Sequence, residues 1–387
     1  MASALLSFFI ILFAGLFFSE IFNRFHLPWV VALIVAGIVV GPQGLALVSL
    51  NETVLFIAEI GLIFLMFMAG LEARLSSFAG LKKEIVIAAA LGITIPFLAG
   101  FGVGNFFELG RNASVLLGVI FISSSVAVVI PTLERAGKLG TKVGKLIVDT
   151  TIVLDISSLF LLSLIFQTTN DLSPIQPGVL YPLILVLFAG LRWIKKPVEK
   201  VMGFLFADEQ KGGHELQVVL VMLLGSVIAF QIVGLHPIVG GFLAGLILSD
   251  SVRKDQLKGK LSAISYGLFI PIFFMVVGAK IDISAFTSAD KNILNLTVAT
   301  VAALILAKFV AGYLAGRLNR IPPKEAGLMG VAGIPQLSTT LAVAFSGLEL
   351  GIIHEDLISS LVILSAITTF VGPLLIQGWL RLESPKK

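Results

Sequence analysis

Long apolar runs recur from one end of this 387-residue chain to the other. That recurrence restricts the fold more than any other feature. ALLSFFIILFAGLFF near the start, EIVIAAALGITIPFLAG further on and ILNLTVATVAALILA late in the chain belong to stretches long enough to cross a hydrocarbon layer. In such a layer every backbone polar group must find its partner within the chain, so only helices and closed barrels can span it. Short alternating strands, the mark of a barrel, are missing from the pattern. Composition agrees: 13% of residues are charged and the mean hydropathy is +1.04, where a soluble domain carries about a quarter charged residues. The expected fold is an all-α polytopic membrane protein.

Thirteen spans can be drawn: 4–22, 28–47, 54–70, 85–107, 113–132, 145–166, 179–194, 216–234, 237–249, 261–278, 293–316, 326–346 and 357–379. The basic residues test the count, because cytoplasmic loops carry the excess of Lys and Arg. With the N-terminus outside, all but four of the 27 basic residues fall in inside loops; Arg111, Lys280 and Lys291 lie outside and Lys308 lies within a span. The reading is N-terminus out, C-terminus cytoplasmic. The net charge of +4 is therefore a topology signal and a contact for anionic lipids rather than a nucleic-acid footprint. The first run lacks a basic leader and reads as a span, not a signal peptide.

The chain also repeats. At an offset of 208 residues, LPWVVALIVAGIVV (27–40) lies on LHPIVGGFLAGLIL (235–248), pairing Ala36 with Ala244 and Gly37 with Gly245. FLMFMAGLEARLSSF (64–78) lies on IFFMVVGAKIDISAF (272–286), pairing Gly70 with Gly278 and Ser76 with Ser284; the same offset pairs Gly104 with Gly312. The first copy starts outside and the second inside. The expected organisation is two inverted six-span repeats, 1–178 and 216–387, joined by a linking span and cytoplasmic linker, 179–215. Inverted repeats with interrupted helices are a transporter architecture whose site lies near the midplane.

Four features reach that depth. Asp155 lies about 15 Å into the span 145–166, where a carboxylate is costly and marks a pathway or a partner. Ser123, Ser124 and Ser125, with Pro131 after them, suit a broken helix whose freed carbonyls and hydroxyls can hold a hard cation. VAGIPQLSTT (331–340) is the counterpart in the second half, with Gln336 and Ser338. Lys308 lies about 14 Å in from Arg317. It pairs with Asp155 or with Asp149, carries a proton itself, or pins a broken helix. A carboxylate that can hold a proton, a metal cation or an ammonium, and that opens to one side at a time, exchanges a proton for a cation.

Accessory candidates are weaker. Asp149 sits six residues from Asp155 and therefore on another face. Glu59 falls near the outer end of its span. His26, His214, His236 and His354 form no metal-ligand spacing, and there are no cysteines. No nucleophile–base pair or phosphate loop appears, so the chain reads as a transporter without a cofactor and not as an enzyme.

At these residues the chain resembles the cation:proton antiporter superfamily, in its second bacterial family of sodium/proton antiporters and potassium efflux proteins. The motifs are LPWVVALIVAGIVVGPQGL, AEIGLIFLMFMAGLE, SSSVAVVIPTLERAGKLG, the Asp155 helix, LHPIVGGFLAGLILSDS, PIFFMVVGAKIDI and AKFVAGYLAG. The resemblance implies a prokaryotic inner-membrane homodimer with two crossed unwound helices and an elevator-like motion, exchanging Na⁺ or K⁺ for H⁺. It implies that Asp155 is the ion-binding aspartate, that Ser124 and Ser125 match a Thr-Ser pair in the first unwound helix, and that Lys308 matches a lysine of the eleventh span. The family usually carries Asp, Asn or Gln before the aspartate; here Leu154 stands there, which implies electroneutral one-for-one exchange. Its basic-glycine-acidic motif is replaced by Gln336, Leu337 and Ser338. The alternative on the same scaffold is a sodium-coupled symporter of a small organic anion, with Gln336 and residues 338–340 lining a larger cavity.

Overall fold

The computed structural model describes residues 2–24, 29–72, 83–169, 214–232, 236–249, 255–281 and 291–383, with isolated positions between these stretches. Among them there is no strand. Fifteen α-helices are described: α1 (Ala2–Arg24), α2 (Trp29–Val40), α3 (Glu52–Glu72), α4 (Lys83–Phe106), α5 (Arg111–Ile122), α6 (Val126–Arg135), α7 (Lys142–Thr169), α8 (His214–Ile232), α9 (Pro237–Leu248), α10 (Asp255–Ile264), α11 (Ile270–Ala279), α12 (Lys291–Leu318), α13 (Pro323–Ala332), α14 (Ser338–Glu349) and α15 (Glu355–Glu383). A π-helical turn, Ser265–Phe269, joins α10 to α11. Eight described helical stretches are long and apolar enough to cross a membrane; α2, α5 and α9 are shorter apolar helices. The expected span 179–194 lies outside the described residues, as does most of the linker 179–215.

Three expected spans take a different form. The span 28–47 stops at Val40, because Gly41-Pro42-Gln43-Gly44 turns the chain and Ala46 adopts a positive φ of 53°. The spans 113–132 and 326–346 are each two short helices separated by non-helical backbone, at residues 123–125 and 333–337. The first break falls on the serines; Pro131 lies inside α6.

The helices cluster into two compact units, Met1–Ala79 with Phe166–Lys280, and Gly80–Ile165 with Ile281–Lys387. In the first unit α3 packs on α9 and α2 on α11. Both crossings are backbone-close. A Cβ added at Gly37 would collide with the Met275 carbonyl, and one at Gly278 with the Ile34 carbonyl. Gly70 and Gly245 play the same part between α3 and α9, against Phe242 and Phe67. Small residues let helices approach where water supplies no hydrophobic drive.

In the second unit α4 packs on α5 and α12, and α12 on α13 and α15. Gly100 faces Leu117 and Gly118, while Gly312 faces Met329 and Gly330. Buried Val129, Leu133, Ile147, Leu328, Val331 and Ile376 form a common core that brings α6, α7, α13 and α15 together. That core fixes the ends of the broken helices against α7, which carries Asp155.

Candidate ion site at the crossing of two broken helices

α5 ends at Ile122, and Ser123 and Ser125 follow with extended backbone, ψ 159° and 103°. α13 ends at Ala332, and the chain runs without helix until Ser338 opens α14. The two breaks meet. The Ser125 amide donates to the Pro335 carbonyl at 2.8 Å, and the Ser124 hydroxyl donates to the Gly333 carbonyl at 2.9 Å. The Ser123 and Thr340 hydroxyls lie 3.2 Å apart. Each break thus supplies what the other lacks, as non-helical backbone at membrane depth requires.

Two buried side chains complete the joint. The Lys308 ammonium donates to the carbonyls of Ile122 and Ser123, each at 2.6 Å, and to the Ser124 hydroxyl at 2.9 Å. The Gln336 amide nitrogen donates to the carbonyls of Ile120, Phe121 and Ser123 at 3.3, 3.2 and 2.9 Å. Its amide oxygen accepts from Thr340 at 3.0 Å. The Gln336 backbone is held by α15: its N–H donates to Thr368 at 3.2 Å, and its carbonyl accepts from Thr369 at 3.0 Å.

Asp155 reaches this joint from α7. It is 7% exposed. Its carboxylate accepts from the Ser124 amide at 3.2 Å, and the Thr339 side chain and the Lys308 charge act on it as well. Lys308 acts from electrostatic range, because its hydrogen bonds go to the break. The N-termini of α6 and α14 start at this crossing, and the unpaired N–H groups of a helix start favour negative charge. Ser125 is buried, yet its hydroxyl has no hydrogen-bond partner among the described residues. The Asp155 carboxylate against the Ser124 amide, with the unsatisfied Ser125 hydroxyl one residue further on, gives the joint the oxygen donors that a hard cation takes.

A cavity of about 40 Å³ adjoins the joint within this unit. Ser124, Thr150, Leu154, Lys308 and Gly333 are among its lining. Leu154 packs against Gly92 of α4, so the position before Asp155 offers the site an apolar side chain and no second carboxylate.

The structure brings Asp155, Ser124, Ser125, Lys308 and Gln336 into one unit and one joint. Ser338 opens α14 half-buried. Asp149, on α7, is also half-buried. Glu59 is exposed on α3 and belongs to the other unit. Reading by depth named Ser123 with its neighbours and Thr339 only within the 338–340 run, and passed over Thr368 and Thr369. Their signal was present in adjacent hydroxyl pairs inside apolar spans, at Thr339-Thr340 and Thr368-Thr369.

Comparison with known proteins adds the following. The family described as sodium/hydrogen exchanger, transmembrane, matches residues 8–382. A probable Na⁺/H⁺ antiporter of Methanocaldococcus jannaschii is 31% identical over 377 residues, covering 96% of this chain and 95% of the relative. A Na⁺/H⁺ antiporter of Enterococcus hirae is 30% identical, covering 93% of each. The Na⁺/H⁺-K⁺ antiporter GerN of Bacillus cereus is 27% identical over 90% of this chain and 89% of its own. Among solved structures, the sodium proton antiporter MjNhaP1 of M. jannaschii at pH 8 superposes with a TM-score of 0.72 at 18% identity, covering 96% of this chain and 95% of its own.

Proposed function

Because the chain belongs to the transmembrane sodium/hydrogen exchanger family, we propose that it is a secondary transporter exchanging a monovalent cation, Na⁺ or K⁺, for H⁺ by alternating access. Asp155 is the shared site for cation and proton. Ser125 supplies a hydroxyl ligand, Ser124 orients the carboxylate through its amide, and Lys308 is the charge partner. The observation that carries this reading is the burial of Asp155 in a span, against the amide of Ser124 and at the meeting of two broken helices. A carboxylate is retained at such depth for function.

The exchange is one-for-one. Asp155 loaded with a monovalent cation carries the same charge as Asp155 loaded with a proton, and Leu154 adds no second acid. Each loaded form therefore crosses with equal net charge, and the cycle moves none. A ligand can drive such a cycle only through its different affinity for the two orientations.

The organic-anion alternative loses its footing. Gln336 and Thr340, its expected lining, are fully buried and spent on the crossing. No larger substrate can reach them without dismantling it.

Two inverted repeats remain part of the proposal. What supports them is element spacing: α2 and α9 begin at Trp29 and Pro237, and α4 and α12 at Lys83 and Lys291, each pair 208 residues apart. The orientation, N-terminus outside and C-terminus cytoplasmic in a prokaryotic inner membrane, follows from the loop charges. The homodimer, the elevator-like motion and the lipid contacts belong to the same proposal.

Purified protein in liposomes with an internal pH indicator tests it. A pH gradient should collapse on adding Na⁺ or K⁺, and a clamp on membrane potential should not change the rate. Asp155→Asn should abolish the response while the protein still purifies folded. Full exchange by Asp155→Asn would sink the assignment; dependence on the clamp would sink the one-for-one ratio.

A further inference from the structure

The break after Ile122 strips the last carbonyls of α5 of their helical partners. Two side chains from the second half hold that row. Lys308 takes Ile122 and Ser123; Gln336 takes Ile120, Phe121 and Ser123. The two clasps, one charged and one neutral, share the Ser123 carbonyl.

An ammonium has three protons to donate. Lys308 has three acceptors in the break, and Asp155 is not one of them. To move closer to an unloaded Asp155 carboxylate, the ammonium must let go of part of the row. A carbonyl released inside the protein must find another donor. Gln336 already stands on the same row. Its amide is fixed from behind by Thr340, and its backbone by Thr368 and Thr369. Being neutral, it donates without placing a second cation beside Asp155.

We propose that Gln336 is a positioning residue: a neutral clasp that keeps the end of α5 in place whether or not Lys308 is engaged, and so leaves Lys308 free to follow the charge on Asp155. This rests on the reading of Asp155 as the shared site with Lys308 as its partner. Gln336 touches neither ion; it acts through the backbone that Lys308 and Ser124 belong to.

The test has two readouts. In detergent, thermal unfolding is compared for Lys308→Met, Gln336→Met and the double variant. If the clasps stand in for one another, the fall in Tm of the double variant exceeds the sum of the single falls, or the double variant cannot be recovered folded while both single variants can. In liposomes, Gln336→Met should lower the maximal rate of Na⁺-driven exchange by about tenfold, while half-saturating Na⁺ stays within about twofold. Thr340→Val, which removes the hydroxyl behind the amide, should show the same split more weakly; it replaces Gln336→Met in both readouts if that variant does not fold. Additive falls in Tm, an unchanged maximal rate, or a rise in half-saturating Na⁺ at unchanged maximal rate would each overturn the proposal. Asp155→Asn run alongside separates the two failures. If it exchanges normally, the site assignment fails; if it is dead and Gln336→Met behaves as wild type, only the clasp fails.

Discussion

The two units meet one physical demand with one device in common and one that the second adds. Both are built of apolar helices that must pack without help from water. Both do so with glycine: at Gly37, Gly70, Gly245 and Gly278 in the first unit, and at Gly100 and Gly312 in the second, backbones come so close that no side chain fits between them. The second interrupts two helices and binds the open ends with side-chain hydrogen bonds from Lys308, Gln336, Ser124 and Thr340. Glycine crossings are indifferent to charge and tolerate no change in shape. The polar crossing keeps the carbonyls of its breaks bonded while it holds a carboxylate and an ammonium in the same interior. An unbroken helix offers no free carbonyl or N–H at mid-depth, so a site for a bare cation needs the second solution.

The comparison breaks most directly at Lys308. Lys308→Met should be the most damaging single change outside Asp155. It leaves the Ile122 carbonyl bare, at a cost of about 1–3 kcal/mol for each buried group left unsatisfied, and it removes the charge that acts on Asp155. Exchange should fall by at least about a hundredfold, and Tm should drop. Measuring both in one preparation matters. Lost exchange at unchanged Tm would make Lys308 purely a charge partner; lost Tm with normal exchange would make it purely a pin.

Glycine should fail in the other manner. Gly278→Val puts a branched side chain against the Ile34 backbone, and overpacking costs about 1–3 kcal/mol. The expected outcome is a lower yield and Tm. In the folded fraction, half-saturating Na⁺ should be unchanged, since the first unit carries none of the residues assigned to the ion. A shift in half-saturating Na⁺ in Gly278→Val would place part of the site in the first unit and undo the contrast.

How much of this was legible in the sequence follows the same division. Glycine crossings could be anticipated, because Gly37, Gly70, Gly245 and Gly278 fall on a repeated pattern and need only shape. The polar crossing was visible as depth: Asp155, the serines, Lys308 and Gln336 could each be counted inward from a basic residue. Their bonding could not. Gln336 and Ser123 are 213 positions apart, and depth does not say which carbonyl an amide will choose. Lys308 shows the limit: its depth equals that of Asp155, yet its hydrogen bonds go to Ile122, Ser123 and Ser124. The π-helical turn Ser265–Phe269 was also hidden, because nothing in SYGLF distinguishes a π-turn from a regular helical turn within a span. It shows only in the packing, where Gly61 of α3 closes on the Phe269 carbonyl.

The smallest expected effects sharpen the comparison furthest, because they separate function from stability within the second unit. Ser125 and Ser346 are both buried hydroxyls without a hydrogen-bond partner among the described residues. Removing such a group costs no bond and relieves the loss of its hydration, so Ser125→Ala and Ser346→Ala should each leave Tm unchanged or slightly raised. Their transport should differ. Ser125 opens α6 at the crossing, where the proposed site gives its oxygen a cation; Ser346 lies two turns into α14, away from the break. Ser125→Ala should raise half-saturating Na⁺ by about tenfold, the worth of one lost ligand of about 1.4 kcal/mol, and Ser346→Ala should not move it. Equal behaviour of the two variants would remove Ser125 from the site and leave the cation to Asp155 and the freed carbonyls alone.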